Sequence, residues 1–592
     1  MNVRWVWRVV VCLAVLPIGA PSARSTAAAV AGQAPPAAPA RPEVGYLTMD
    51  DGARLPYVLY LPARAGRVPV LFIYNPYEGG SADITAPGPL AEEMRDYLSH
   101  GYAVLAASVR GSGCSAGLLE FQSPHIARDG EAFVEWAAAQ SWSDGNVGMF
   151  GLSYSGMTQF MVGGRRPPHL KAIAAGAPPA TIYHDVHYPG GIFNYGFAAQ
   201  WTFVSQASTT RRGADFRRAA GDSECEGLLA RQRPNRMFYE LRDHPLHDAW
   251  WSTRSIEPDA ARLAVPALIM HSWQDQQIAP IGGVRLFQRV TGPRRLVLAN
   301  GGHTFLYRTR LMQAERVRWF DRWLKGHQNG IDTEPAVTVL FEASRVGAGT
   351  GLADLAVGWS WSFTGWPIPG TEWTTFMLTT DGRLTGELLT AEPGTRTYVY
   401  PLGTELVGDN ASFAVAPSPP GSLRYRSAPH AKDLAILGAP VLTLHMSAYT
   451  GETDLMAVLH DVGPDGKVTY LQRGFLRASH RRLDPVLSRP LEPRHLHASV
   501  ERLLPGRVYE LTFSMFPLGH VVRAGHVLEL LVLAPSGIPS PNWGLALAMA
   551  PGVNTIHHSS THPSRLVVPT LPGRTAGASR PACGALDYQP CR

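Results

Sequence analysis

No stripe of Lys and Arg interleaved with aromatics runs through this chain. Its basic residues fall in scattered pairs such as Arg165-Arg166, Arg211-Arg212 and Arg481-Arg482. The net charge of +6 and the pI near 9.0 therefore describe a solvated basic surface, and no nucleic-acid partner is expected. Long apolar runs are missing too: "VVVCLAVLPIGA" at residues 9–20 falls short of the roughly 20 residues that a membrane span needs. The glycine-rich "RGSGCSAG" (110–117) lacks the Lys-Ser/Thr of a phosphate-binding loop and reads as a turn. His184 and His187 flank Asp185 without further ligands at a defined spacing, so no metal and no cofactor is expected. Fixed-period repeats are absent as well.

The N-terminus carries more information. Arg4 and Arg8 precede the apolar run, and "AVA" at 29–31 puts small residues at the −3 and −1 positions of a signal-peptidase site. The pattern predicts a signal peptide over 1–31, export to the periplasm or beyond, and no stable membrane insertion after cleavage. Cys12 follows Val11 where a lipoprotein has a small residue. Cleavage leaves Cys114, Cys225, Cys583 and Cys591, an even number that permits three pairings. Cys583–Cys591 is favoured as a C-terminal staple, and Cys114–Cys225 would then tie a loop to a distant insertion. Residues 32–42 are an Ala/Pro linker.

A chain of 592 residues exceeds one hydrophobic core. Two β-rich runs flank Asp51-Gly52 and predict a hairpin over 44–62. Apolar runs at 69–74, 102–109, 146–150, 170–176, 266–273 and 294–300 alternate with helical patterns, among them 129–140 and 314–326. Such alternation predicts an α/β domain built on a parallel sheet covered on both faces, in two parts, 43–179 and 263–332. The stretch between the runs at 170 and 266 is far longer than a crossover needs, so 180–262 reads as an inserted helical cap. From 333 to 592 helical periodicity fades into short strands and turns, a β-sandwich pattern.

The chemistry centres on "MFGLSYSGMTQF" (149–160), where Ser153 stands at a strand-to-helix transition between Gly151 and Ser155. A sharp elbow of this kind needs small flanking residues, and here Ser155 replaces the second glycine of G-x-S-x-G, with Gly156 just beyond. A serine hydroxyl needs an imidazole to take its proton and an acid to orient that ring. Asp275 follows the run at 266–273 and His303 follows the run at 294–300, giving the order Ser, acid, His at strand exits. The backbone N–H of Tyr154 and the side chain of Tyr77, in "NPYEGG" (75–80), are the candidate oxyanion donors.

"NPYEGG", "SVRGSGCSAG" (108–117), "AAQSWSDGNVGMFGLSYSGMTQF" (138–160), "SWQD" (272–275) and "GGH" (301–303) resemble the cocaine-esterase and Xaa-Pro dipeptidyl-peptidase type of serine hydrolase. The segments 423–447 and 554–572 are similar to that family's jelly-roll domain. The resemblance implies an α/β-hydrolase domain, a helical cap and a C-terminal jelly roll that meet at the site. It also implies Ser153 as nucleophile, His303 as base, Asp275 as orienting acid, and Tyr77 with Tyr154 as the oxyanion hole. Ser108 stands where the family usually has Asp. Gln276 and Gln277 stand where members acting on amino-acid esters carry acidic residues and cocaine-hydrolysing members an aromatic.

The sequence thus points to a small-molecule ester or amide as substrate and to an acyl-enzyme at Ser153. An Xaa-Pro dipeptidyl-peptidase is the alternative within the class, and a non-catalytic glycan-binding protein the alternative outside it. Asp185 is expected to be a solvated loop carboxylate, with binding of an amine as its alternative, and Tyr183, Tyr188, Phe193, Tyr195 and Trp201 are candidate acyl-pocket residues as well as candidate packing residues. The sequence specifies no oligomeric state.

Overall fold

The computed structural model describes residues 42–589 apart from 64–65, 78, 348, 390–392, 403–420, 537–543, 549 and 583. The expected signal peptide, nearly all of the linker and the Cys583–Cys591 pairing lie outside the described residues. β1 (Glu43–Thr48) and β2 (Arg54–Tyr60) pair antiparallel, and the Asp51-Gly52 turn between them uses Gly52 at φ 81°. Glycine adopts that left-handed conformation at no steric cost.

Seven strands then run parallel: β3 (Val68–Asn75), β4 (Ala103–Ser108), β5 (Ser143–Leu152), β6 (Leu170–Gly176), β7 (Ala267–Ser272), β8 (Arg294–Ala299) and β9 (Val337–Phe341). Every residue of β3, β4 and β7 is buried, as unbroken apolar strands covered on both faces should be. The order is β1-β2-β4-β3-β5-β6-β7-β8-β9, closed by the antiparallel strand Trp359–Phe363. The chain passes from β3 to β4 on one side and returns with β5 on the other. The connection therefore reverses between β3 and β5, where open sheets form their crevices. This mixed sheet also extends past the boundary expected at 333. Val337, Val339 and Phe341 of β9 complete its apolar face beside β8, so the segment to Phe363 belongs with it.

Helices α1 (Pro89–Ser99), α2 (Pro124–Ala138) and α3 (Tyr154–Gly163), with Ile281–Arg289 and Arg310–Leu324, pack against this sheet. α2 starts five residues before the expected Asp129, because Pro124 supplies a pre-set φ at the first helical position. Asp129 is instead buried mid-helix, where the Arg110 guanidinium donates to both its oxygens at 2.6 Å. In Arg310–Leu324, Val317, Phe320 and Leu324 are buried as their spacing predicts.

Between Gly176 and Ala267 the chain leaves the sheet for short helices, including the π-helical turn Tyr183–His187. One disulfide, Cys114–Cys225, joins this segment to the loop after β4, with Cα atoms 4.9 Å apart. From Glu372–Leu378 to Arg565–Thr570 the chain is β-rich and mostly antiparallel, around a separate core that includes Leu442, Leu444, Phe513 and Ile556. Among the described residues no helix is long and apolar enough to cross a membrane.

Candidate active site

Ser153 joins β5 to α3 at φ 65° and ψ −119°, a sparsely populated backbone region for a residue with a Cβ. Strain of that kind costs on the order of 1–3 kcal/mol and persists only when the surroundings hold it. Here Ser153 N–H donates to the Gly176 carbonyl at 2.9 Å, and the Ser153 carbonyl accepts from Met157 N–H at 2.9 Å. The small neighbours are obligatory. A Cβ on Gly151 (φ 140°) would lie 2.3 Å from Ser155 Cβ, and one on Gly156 would lie 2.5 Å from the Gly176 carbonyl oxygen. Ser155 is tolerated in place of glycine because the close approach falls on Gly156. Its hydroxyl accepts from Asn75 Nδ2 at 3.2 Å.

That asparagine also shapes the loop after β3. Asn75 Oδ1 accepts from Tyr77 N–H at 2.8 Å and Gly79 N–H at 3.1 Å, which holds both residues close to the end of β3. Ser108 Oγ accepts from Gly80 N–H at 2.9 Å and fixes the far end of the same loop. Trp201 Nε1 donates to the Tyr77 phenol oxygen at 2.8 Å. An indole N–H can only donate, so the phenol's own proton is directed away from Trp201. Tyr154 is the first residue of α3, and its N–H is among those that a helix start leaves without an intrahelical acceptor.

The loops after β7 and β8 meet at Asp275 and His303. His303 Nδ1 donates to Asp275 Oδ2 at 2.8 Å, which leaves Nε2 with its lone pair. The other carboxylate oxygen, Oδ1, accepts the N–H groups of Gln277 at 2.8 Å and Ile278 at 2.9 Å. Burial alone would push this carboxyl up. The adjacent His303, with hydrogen bonds from His271 and from His303 itself, holds it well below the usual carboxylate range. Asp275 is thus an ionised group in a dry place.

Two glutamines lock these loops together. Gln276 Oε1 accepts His303 N–H at 3.0 Å, and Gln274 Oε1 accepts Gly301 N–H at 2.9 Å. The β-rich region supports them from behind: Gln274 Nε2 donates to the Leu471 carbonyl at 3.0 Å, and Gln472 Nε2 donates to the Trp273 carbonyl at 2.6 Å. Gln276 is therefore a buried brace, whereas Gln277 faces the cavity.

A cavity of about 650 Å³ is lined by Ser153, His303, Tyr77, Trp201 and Gln277, among others. The structure brings the serine, the imidazole and the Tyr77 side chain onto this one space, with Asp275 directly behind His303. Of the five aromatics from the 180–262 segment, Trp201 lines it. Tyr183 and Tyr188 stack on each other at 4.8 Å and donate to the carbonyls of Pro245 and Leu241, so they are packing residues. Asp185 is not the solvated carboxylate expected of it: it is 2% exposed, accepts from the N–H groups of Ala180 and Thr181, and pairs with Arg285 at 3.4 Å.

Residues 51–305 match the X-Pro dipeptidyl-peptidase (S15) family, and residues 329–567 match the X-Pro dipeptidyl-peptidase C-terminal non-catalytic domain. The chain belongs to this family of serine hydrolases. It is 28% identical over 593 residues to the cocaine esterase of Rhodococcus sp. (strain MB1 Bresler), covering 88% of this chain and 97% of that one. The solved CocE/NonD family hydrolase of Staphylococcus aureus superposes with a TM-score of 0.74 at 22% identity, covering 89% and 93% of the two chains. An α-amino acid ester hydrolase superposes with a TM-score of 0.65 at 18% identity, covering 89% and 96%. The protein is accordingly a serine hydrolase of the esterase or Xaa-Pro dipeptidyl-peptidase kind.

Sequence reasoning missed His271, Gln274, Gln276 as a brace, and Asn75. His271 lies in β7 and Asp275 beyond its end, after a turn in which Asp275 N–H bonds the Ser272 carbonyl, so strand periodicity did not point to the pair.

Proposed function

We propose that this hydrolase cleaves carboxylic esters or small amides through an acyl-enzyme on Ser153, and that it acts after export directed by residues 1–31. The observation that carries the reading is the convergence on one cavity of a strained serine and an imidazole whose far nitrogen is bonded to a buried, ionised carboxylate. Ser153 Oγ attacks the carbonyl carbon and His303 Nε2 takes its proton. His303 then returns that proton to the leaving alcohol or amine as the bond to it breaks, and water repeats the sequence to free the acid. Asp275 keeps His303 in the Nδ1–H tautomer and stabilises the imidazolium. The Tyr154 N–H and the Tyr77 hydroxyl receive the oxyanion, each contributing about 3 kcal/mol in the transition state. In this reading the mixed sheet is an α/β-hydrolase domain, the 180–262 segment its cap and the β-rich region a jelly roll.

Two carboxylates in the cavity wall bear on ester against peptide. Glu93 is engaged by Arg316, Tyr97 and Tyr307, and Asp83 accepts from the N–H and hydroxyl of Thr85. Gln277 is uncharged. These commitments favour ester or acyl substrates over a peptide that must be held by a free amino terminus. A fluorophosphonate probe should label the wild-type protein and not Ser153→Ala, whose kcat falls about 10⁴-fold or more; labelling that survives the substitution would sink the assignment. Turnover of p-nitrophenyl acyl esters should exceed that of Gly-Pro-p-nitroanilide, and the opposite ranking favours the dipeptidyl-peptidase. N-terminal sequencing of exported protein should begin after Ala31.

A further inference from the structure

Asp275 has a second imidazole. His271 Nε2 lies 3.2 Å from Asp275 Oδ2 and 3.3 Å from the Ile278 carbonyl oxygen. Both partners are acceptors, so the only hydrogen bond possible has the proton on Nε2, and the neighbours thereby fix the tautomer. Nδ1 has no hydrogen-bond partner among the described residues. The ring is 1% exposed and sits against Gly283 in the first turn of the helix Ile281–Arg289. A Cβ there would come 2.7 Å from His271 Nδ1, so the glycine makes the room.

The four acceptor positions of the carboxylate are thus filled: Oδ2 by His303 and His271, Oδ1 by the N–H groups of Gln277 and Ile278. The two backbone donors pin one oxygen, whereas the oxygen that meets His303 also receives His271. The titratable groups facing Asp275 are His303 from the loop after β8, His271 from β7 and, farther off, the Tyr588 phenol from the C-terminal segment. A buried Arg or Lys in the place of His271 would add a charge beside the imidazolium that forms in turnover. An imidazole can donate from Nε2 without a fixed charge.

We propose that His271 is a positioning residue, which by donating Nε2–H to Asp275 Oδ2 fixes the carboxylate against His303 during proton transfer. This rests on the assignment of Ser153, Asp275 and His303 given above. Two variants separate donation from packing. His271→Leu fills the volume without a donor, and His271→Gln keeps an N–H that can reach Oδ2. With p-nitrophenyl acetate, His271→Leu should lower kcat about 10-fold to 100-fold with KM within about twofold, and the acid limb of its kcat/KM profile should move to higher pH because Asp275 has lost a donor. His271→Gln should recover most of kcat and return the limb. Gly283→Ala, whose methyl displaces the ring without deleting it, should change both readouts in the same direction and keeps the test open should His271→Leu not fold. Equal losses in the Leu and Gln variants with an unmoved acid limb, or kcat within twofold of wild type in the Leu and Gly283→Ala variants, overturns the inference while Ser153→Ala still abolishes labelling. Labelling retained in Ser153→Ala overturns the assignment beneath it, and the inference with it.

Discussion

Imidazoles occur in two contrasting settings in this molecule. Around Asp275, His303 and His271 share one ionised carboxylate, which compensates any positive charge that develops there. Where the 180–262 segment meets the β-rich region, His184, His247, His480, His495 and His497 crowd together, with no carboxylate in hydrogen-bond reach among the described residues. His184 stacks on His247 at 5.3 Å and lies 5.0 Å from His497, and the Nδ1 atoms of His480 and His497 are 3.0 Å apart. Burial pushes all five groups down, and repulsion from other rings and from arginines such as Arg285, Arg494 and Arg477 adds to it at His184, His480 and His497. The two settings differ in the partner offered to the ring: an ionised carboxylate at Asp275, other imidazoles and guanidinium groups in the cluster.

The sharpest way to break the contrast is to remove the carboxylate's charge. Asp275→Asn leaves one acceptor oxygen where two are used: turned toward the imidazoles it sets its NH2 against the N–H groups of Gln277 and Ile278, and turned toward those it sets its NH2 against the imidazoles and costs His303 its Nδ1–H tautomer. The expected loss is about 10³-fold to 10⁴-fold in kcat, with thermal stability changing far less. Activity within tenfold of wild type would mean that His303 does not depend on this carboxylate. Next in size is Tyr77→Phe. If the phenol donates to the oxyanion, kcat should fall about 10²-fold with KM nearly unchanged. A rise in KM alone would make Tyr77 a wall of the cavity. Because Trp201 donates to the same oxygen, near-ultraviolet circular dichroism should report the lost contact in either case.

The Ser153, Asp275 and His303 side of this contrast was legible in the sequence, His271 and the crowded imidazoles were not, and the unread part has a physical pattern. The strand exits carrying Ser153, Asp275 and His303 follow from apolar runs that end in turn residues, a local signal. The hairpin at Asp51-Gly52 and the helix over Val317, Phe320 and Leu324 are equally local. What could not be read depends on residues far apart in the chain: Gln472 reaching the Trp273 carbonyl, Asp185 sinking into a socket with Arg285, and β9 joining the hydrolase sheet rather than the β-rich region. The late start assigned to α2 has another cause. An acidic residue suggests a helix N-terminus by its charge, yet Asp129 is there to hold Arg110, and Ser123-Pro124 set the true start.

The smallest expected effect sharpens the comparison through pH. Burial pushes His480 and His495 down to about 4, below the roughly 6.5 of a free imidazole. As pH falls, the unfolded chain therefore binds protons that the folded protein refuses. Stability from these groups is whole above about 6.5 and declines until about 4. Between pH 7 and pH 5 each should cost on the order of 2 kcal/mol, read as a falling unfolding free energy in urea titrations. Asp275, held low, has the window below: its contribution is present above about 4 and is lost as pH drops further. His495→Gln should flatten the slope between pH 7 and 5 by about one imidazole's share while leaving the loss below pH 4 in place. An unfolding free energy that stays level from pH 7 to 5 in the wild type would show that the crowded imidazoles accept protons in the folded state, and that the two settings differ less than their geometry indicates.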